Sequence, residues 1–118
     1  MQFSERLKAL REDKGFTQKH LAEALNITVS AISHYEIGTR EPSIDILIRM
    51  AEILNVSVDY LVGSTDVNIL PKEMNKLYCK KVSTGEILQR ALQLDSSHRL
   101  GLEYLLKCIT LEQFSSKN

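Results

Sequence analysis

Tryptophan is absent from this chain, and cysteine and proline occur only twice each. Cys79 and Cys108 are too few and too far apart for a disulfide framework or a zinc site. They read as partly buried free thiols. Two prolines and five glycines leave long stretches free to form helices. No run of about 18 apolar residues occurs, which argues against a membrane span. The opening MQFSERLKAL is already amphipathic and holds no secretory segment, so the cytoplasm is the expected location. Metal-binding and catalytic groupings are missing too. His20, His34 and His98 are far apart, and none has a second ligand at metal spacing. His34 follows Ser33, but neighbours on a helix diverge by about 100° and cannot form a nucleophile–base pair. With no glycine-rich phosphate loop and no paired carboxylates, neither an enzyme nor a metal or cofactor is expected.

An excess of one charge is also lacking, since 15 basic residues face 15 acidic ones. Residues 1–66 hold 7 Lys/Arg and 10 Asp/Glu, a net of −3, and residues 67–118 hold 8 and 5, a net of +3. Any polyanion bound by the first part must be held by a local patch and by backbone N–H groups.

What is present centres on Thr17 to Gly38, TQKHLAEALNITVSAISHYEIG. Thr17 can cap a helix whose apolar positions are Leu21, Ala22 and Leu25. Asn26 tolerates a left-handed backbone and ends it, and Ile27 plugs the turn. Thr28 can cap a second helix that runs to Tyr35 or Glu36, with Gly38 closing it. On that helix Ala31, Ile32 and Tyr35 share a side that must face a core. Val29, Ser30, Ser33 and His34 share the other side. A solvated helix face normally carries Lys and Glu. This one carries two hydroxyls, one small apolar group and an imidazole, which suits close contact with base edges in a major groove.

The stretch resembles the helix-turn-helix of the phage-repressor and Cro type, the xenobiotic-response-element (XRE) family. Carrying the resemblance are Thr17-Gln18, Leu21-Ala22, Leu25, Ile27, Ile32-Ser33, Tyr35-Glu36, Gly38, Pro42, Leu47, Ala51, Leu54 and the run Val56 to Gly63. It covers about residues 1–64 and implies a five-helix DNA-binding domain. Helix one is expected over 3–13, with Phe3, Leu7 and Leu10 inward, Arg6, Lys8 and Glu12 outward, and Ser4 or an earlier residue as cap. In the family an Arg at the position of Arg11 pairs with a Glu at the position of Glu36, locking helix one to helix three. The other reading is a loose surface pair. The resemblance also implies that Gln18 contacts a phosphate. Thr39, Arg40 and the backbone N–H groups after Gly38 are further candidates to hold one. Where the family often has a basic residue, this chain has Ile37, which removes one such contact. Ser43 is expected to cap helix four, with Leu47, Ile48, Ala51 and Leu54 inward and Ile44 beside them. Ser57 is expected to cap a short helix from Val58 to Val62, ended by Gly63.

Residues 65–82 mix turn formers with Lys72, Lys76, Lys80 and Lys81 and read as a linker, with one helical turn or a short helix from Pro71. These lysines read first as solvated charges and second as contacts to flanking DNA. Residues 83–118 form a C-terminal helical hairpin. Its first helix, capped by Ser83 or Thr84, carries Ile87, Leu88, Ala91 and Leu92. The second, capped by Asp95 or Ser96 and reaching about Phe114, carries two apolar stripes. Leu102, Leu105, Leu106 and Ile109 form one; Leu100, Tyr104, Cys108 and Leu111 form the other. A helix apolar on two sides must be buried on two sides. The short partner helix can cover one stripe, and a second copy of the chain is the simplest cover for the other. Helix five or the linker is the alternative cover.

The fold expected is therefore all-α: a five-helix phage-repressor-like domain (1–64), a linker (65–82) and a C-terminal dimerisation segment (83–118). The function expected is a homodimeric repressor of double-stranded DNA that reads a near-palindromic operator with helix three. Val29 would meet a thymine methyl, Ser30 and Ser33 base edges, and Thr17, Gln18, Thr28, His34, Thr39 and Arg40 phosphates. The alternative is a protein-interaction module, antitoxin-like or partner-regulated, whose C-terminal hairpin binds another protein.

Overall fold

A computed structural model describes residues 1–116, with side chains to Thr110. The chain falls into two compact units that part at Pro71/Lys72. In the first, five helices follow in order: α1 Phe3–Asp13, α2 Gln18–Leu25, α3 Val29–Ile37, α4 Ile44–Leu54 and α5 Val58–Leu61.

Four of these helices start on the short oxygen-bearing side chains read from the sequence. Thr17 Oγ1 accepts from the His20 backbone N–H at 3.0 Å, and Thr28 Oγ1 from that of Ala31 at 3.1 Å. Ser43 Oγ accepts from Ile46 at 3.3 Å and Ser57 Oγ from Tyr60 at 3.1 Å. Helix α1 differs. Gln2 stands at its N-cap without a side-chain bond, and Ser4 lies inside the first turn. Asn26 and Asn55 both take the left-handed conformation at φ 56°, ending α2 and α4. Gly63 follows α5 at φ 82°, and a Cβ there would lie 2.2 Å from the Met1 carbonyl oxygen. Only glycine lets the chain start pass so close to the end of α5.

Leu7, Leu21, Leu25, Ile32, Met50, Leu54 and Leu61 are fully buried. Each contributes about 1.5–3 kcal/mol by leaving water. Two expectations are corrected here. Ile48 is 44% exposed, and Met50 takes the inward place. The stripe of α4 runs Leu47, Met50, Ala51 and Leu54, and Ile48 sits about 100° off it, beside the exposed Ile44. Arg6, expected outward, is only 6% exposed. Its acceptors come from residues 60–66, remote in sequence.

The single turn α6 Pro71–Met74, with proline at its first position, begins on the last residue of the first unit and continues into the second. An unexpected antiparallel hairpin follows: β1 Leu77–Cys79 pairs with β2 Val82–Ser83, Leu77 opposite Ser83 and Cys79 opposite Val82. Lys80 makes the turn at φ 46°. Cys79 is exposed and Cys108 half-buried, so the reading of two partly buried thiols holds only for Cys108. Helix α7, Thr84–Leu92, is capped by Ser83 Oγ, which accepts from Glu86 N–H at 3.2 Å. Helix α8, Ser96–Ser116, is capped by Asp95, whose Oδ1 accepts from the His98 backbone N–H at 2.9 Å. Bonds from His98 and Ser97 hold the Asp95 carboxyl below its ordinary range.

Burial in this unit corrects the hairpin packing expected from sequence. Leu92 is 71% exposed. On α8 both stripes stand open: Leu102 and Cys108 are half-buried, and Leu100, Tyr104, Leu105, Leu106 and Ile109 are all exposed. The reason is what α7 packs on: it lies against β1 and β2, strands absent from the sequence reading. Leu111 lies outside the described side chains.

Candidate nucleic-acid interface

The outer side of α3 is set by its inner side. Ala31, Ile32 and Tyr35 lie in the core, at 5%, 0% and 5% exposure. That phase turns Val29, Ser30 and His34 into solvent, while Ser33 is half-buried. The ridge is thus presented to solvent, with Ser33 at its edge.

A buried ion pair fixes the far end of the helix. Arg11 Nε donates to Glu36 Oε2 at 2.8 Å and Nη2 to Oε1 at 2.9 Å, a two-pronged pairing. Arg11 Nη1 also donates to the Phe16 carbonyl at 2.8 Å. The side chains are 10% and 4% exposed, so the loose surface reading does not apply. The bond to Glu36 raises the Arg11 pKa against the opposing effect of burial.

The remaining predicted residues divide by what already engages them. Thr17 and Thr28 are exposed, and each hydroxyl accepts a cap bond. A hydroxyl that accepts still has a proton to donate to a phosphate. Gln18 Nε2 donates to Glu36 Oε1 at 3.4 Å, which brings the start of α2 to the end of α3. His34 Nδ1 lies 2.9 Å from Thr39 Oγ1. The Gly38 and Thr39 backbone N–H groups both donate to the His34 carbonyl, at 3.0 and 3.1 Å. This corrects one expectation: the Thr39 N–H is engaged, and its hydroxyl also donates to the His34 carbonyl at 3.4 Å, leaving the exposed Arg40 for an anion. Ile37 is 68% exposed at the same corner. The eight residues named for dimerisation belong to α8 and lie in the other unit.

Two structural roles escaped the sequence reading. Nδ1 of His20 accepts from the Thr17 backbone N–H at 3.4 Å, completing a reciprocal cap. Nη2 of Arg49 donates to the Leu25 carbonyl at 2.7 Å, meeting an orphan acceptor at the end of α2. Those orphan carbonyls were the available signal. Of the seven basic residues in 1–66, Arg6, Arg11 and Arg49 are therefore committed to internal bonds. Lys8, Lys14, Lys19 and Arg40 remain exposed.

Residues 7–61 match the helix-turn-helix family HTH_3. The chain is 38% identical over 102 residues to the HTH-type transcriptional regulator YqaE of Bacillus subtilis (strain 168), covering 78% of this chain and 88% of that protein. It is 43% identical over 68 residues to the HTH-type transcriptional regulator ImmR of the same organism, covering 58% of this chain and 54% of the relative. Among solved structures, the P22 c2 repressor in complex with a synthetic operator superposes with a TM-score of 0.53 at 28% identity, over 55% of this chain and 98% of that one.

Proposed function

We propose that this chain, which belongs to the HTH_3 family of helix-turn-helix transcriptional regulators, is a dimeric cytoplasmic repressor that reads a near-palindromic operator with α3. The observation that carries the reading is the solvent-facing ridge Val29, Ser30 and His34, edged by Ser33, beside the buried Ile32. Such a ridge is short enough for backbone and bases to approach closely. Val29 meets a thymine methyl, and Ser30 and Ser33 bond to base edges. Thr17, Gln18, Thr28, His34, Thr39 and Arg40 hold phosphates around it. The similar P22 c2 repressor, solved with a synthetic operator, supports the DNA-bound reading. A dimer joined through α8 sets two copies of α3 about 34 Å apart, one duplex turn.

The test begins with selection of bound sites from random DNA, recording the mass of each complex. On the selected operator, Ser30→Ala with Ser33→Ala is expected to lower preference over random DNA roughly tenfold to a hundredfold, about 1–3 kcal/mol. An unchanged preference would remove α3 from the groove.

A salt titration checks the phosphate contacts. With Lys8, Lys14, Lys19 and Arg40 exposed and outside the internal bonds that hold Arg6, Arg11 and Arg49, binding should release of order a few counterions per subunit. A slope of ten or more per dimer would mean that other residues hold the backbone.

The exposed stripes of α8 favour one second reading, in which the tail binds a different protein and regulation runs through that partner. A complex with one chain per operator half-site and no self-association, together with a stoichiometric heterologous partner, would select it.

A further inference from the structure

Residues 64–68 lie outside any helix or strand, yet they are fastened to the helix-turn-helix unit. Arg6 of α1 does most of this. Its Nη1 donates to the Tyr60 carbonyl and to the Thr65 carbonyl, both at 2.9 Å. Its Nη2 donates to Asp66 Oδ1 at 2.9 Å. The guanidinium lies 4.2 Å from the centroid of the Tyr60 ring. Two residues beyond Asp66, Asn68 Oδ1 accepts from the Ser57 backbone N–H at 2.9 Å, and its Nδ2 donates to the Asn55 carbonyl at 3.5 Å. A planar guanidinium suits such a junction, because its fork fixes several acceptors at set angles.

We propose that Arg6 and Asn68 act as a latch that shortens the free tether between the DNA-reading unit and the dimerising tail, and so set the half-site spacing the dimer accepts. The proposal rests on the dimeric reading above. With the latch closed, the half-buried Ile69 and Leu70 are the stretch between the last latched residue and α6. With the Asp66 and Asn68 bonds broken, the bonds of Thr65 to Arg6 and of Ser64 to Asp59 still hold, so the free segment is 66–70. A flexible chain spans about 5–6 Å times the square root of its length, so the reach grows from about 8 Å to about 12 Å. Effective concentration at the second half-site falls roughly as the −3/2 power of tether length. Lengthening from two residues to five lowers it about fourfold, and both arms of a symmetric dimer scale together.

Asp66→Ala with Asn68→Ala is the main variant, because both side chains are exposed and the core is untouched. Arg6→Lys is the second, keeping the charge and losing the fork. The full chain is titrated against the selected palindrome, an isolated half-site, and the palindrome with two base pairs inserted at its centre. The double variant should lose about fourfold on the palindrome and keep half-site affinity. It should suffer less than the parent from the insertion, and hydrogen exchange over 64–68 should quicken. A parent that prefers the palindrome, with a double variant matching it on all three DNAs, overturns the latch and leaves the dimer standing. An equal loss on the half-site would make these residues merely structural and also overturn it. If the parent holds the palindrome no better than a half-site, the dimeric reading falls and takes the latch with it.

Discussion

Arg11→Ala is expected to cost the first unit about 3–5 kcal/mol, the range for breaking a buried pair by removing one partner. The argument turns on what is left behind. The Glu36 side chain is 4% exposed, so its charge cannot be rehydrated without moving α3. Gln18 Nε2, at 3.4 Å, is too distant and neutral to stand in for a guanidinium. The Phe16 carbonyl loses its donor in the same step. Against a total stability of about 5–15 kcal/mol for an ordinary domain, the loss removes from about a fifth of that stability to all of it. Replacing the pair together, Arg11→Met with Glu36→Leu, should recover most of the loss, because no charge is stranded. Urea unfolding followed by hydrogen exchange in α1 and α3 measures both. A cost under about 1 kcal/mol for the single change would mean that the pair behaves as a surface contact. The raised Arg11 pKa fixes the sign with pH. The guanidinium's contribution is complete below its unfolded value and is lost only as pH rises through the higher folded one, so the gap between variant and parent should not change across neutral pH.

The pair was legible because both residues occupy matching places in a familiar motif. Other features were legible for a more local reason. Thr17, Thr28, Ser43, Ser57 and Ser83 each place a short oxygen where a helix begins, and each accepts the bond expected of it. Asn26 and Asn55 tolerate the backbone that ends a helix. The outward ridge followed from helical phase alone, once Ala31, Ile32 and Tyr35 were assigned inward. What local pattern could not supply was anything set by distant partners. Arg6 reads as an outward cation until residues 60–66 arrive to surround it. Gln18 and His34 read as free hydrogen-bonding groups, and their partners Glu36 and Thr39 depend on rotamers and on how α2 meets α3. The hairpin at 77–83 was hidden because its turn is Lys80-Lys81, with neither glycine nor asparagine to announce the positive φ. Helix α7 read as the cover for one stripe of α8, and it packs instead on the two short strands that the sequence pattern hid.

That uncovered helix leads to the largest expected effect on binding. Leu105 and Ile109, at 54% and 45% exposure, lie one turn apart on one stripe; Leu100 and Tyr104, at 68% and 71%, lie one turn apart on the other. A soluble chain rarely leaves so much contiguous apolar surface open unless something docks there. In a two-fold symmetric seam every substitution acts twice. Leu105→Glu with Ile109→Glu would therefore remove four buried side chains, each contributing about 1.5–3 kcal/mol, and set like charges face to face. Leu100→Glu with Tyr104→Glu does the same to the opposite stripe. One of the two double variants is expected to sediment as a monomer and to lose about 10²- to 10⁴-fold in affinity for the palindrome, the usual gain from joining two weak sites. Its affinity for an isolated half-site should be unchanged, since α3 and its supports belong to the other unit. The pair that dissociates the chain identifies the seam. If both variants stay dimeric, the seam lies elsewhere, and if the parent is itself a monomer on its operator, regulation by two joined recognition helices is wrong for this chain.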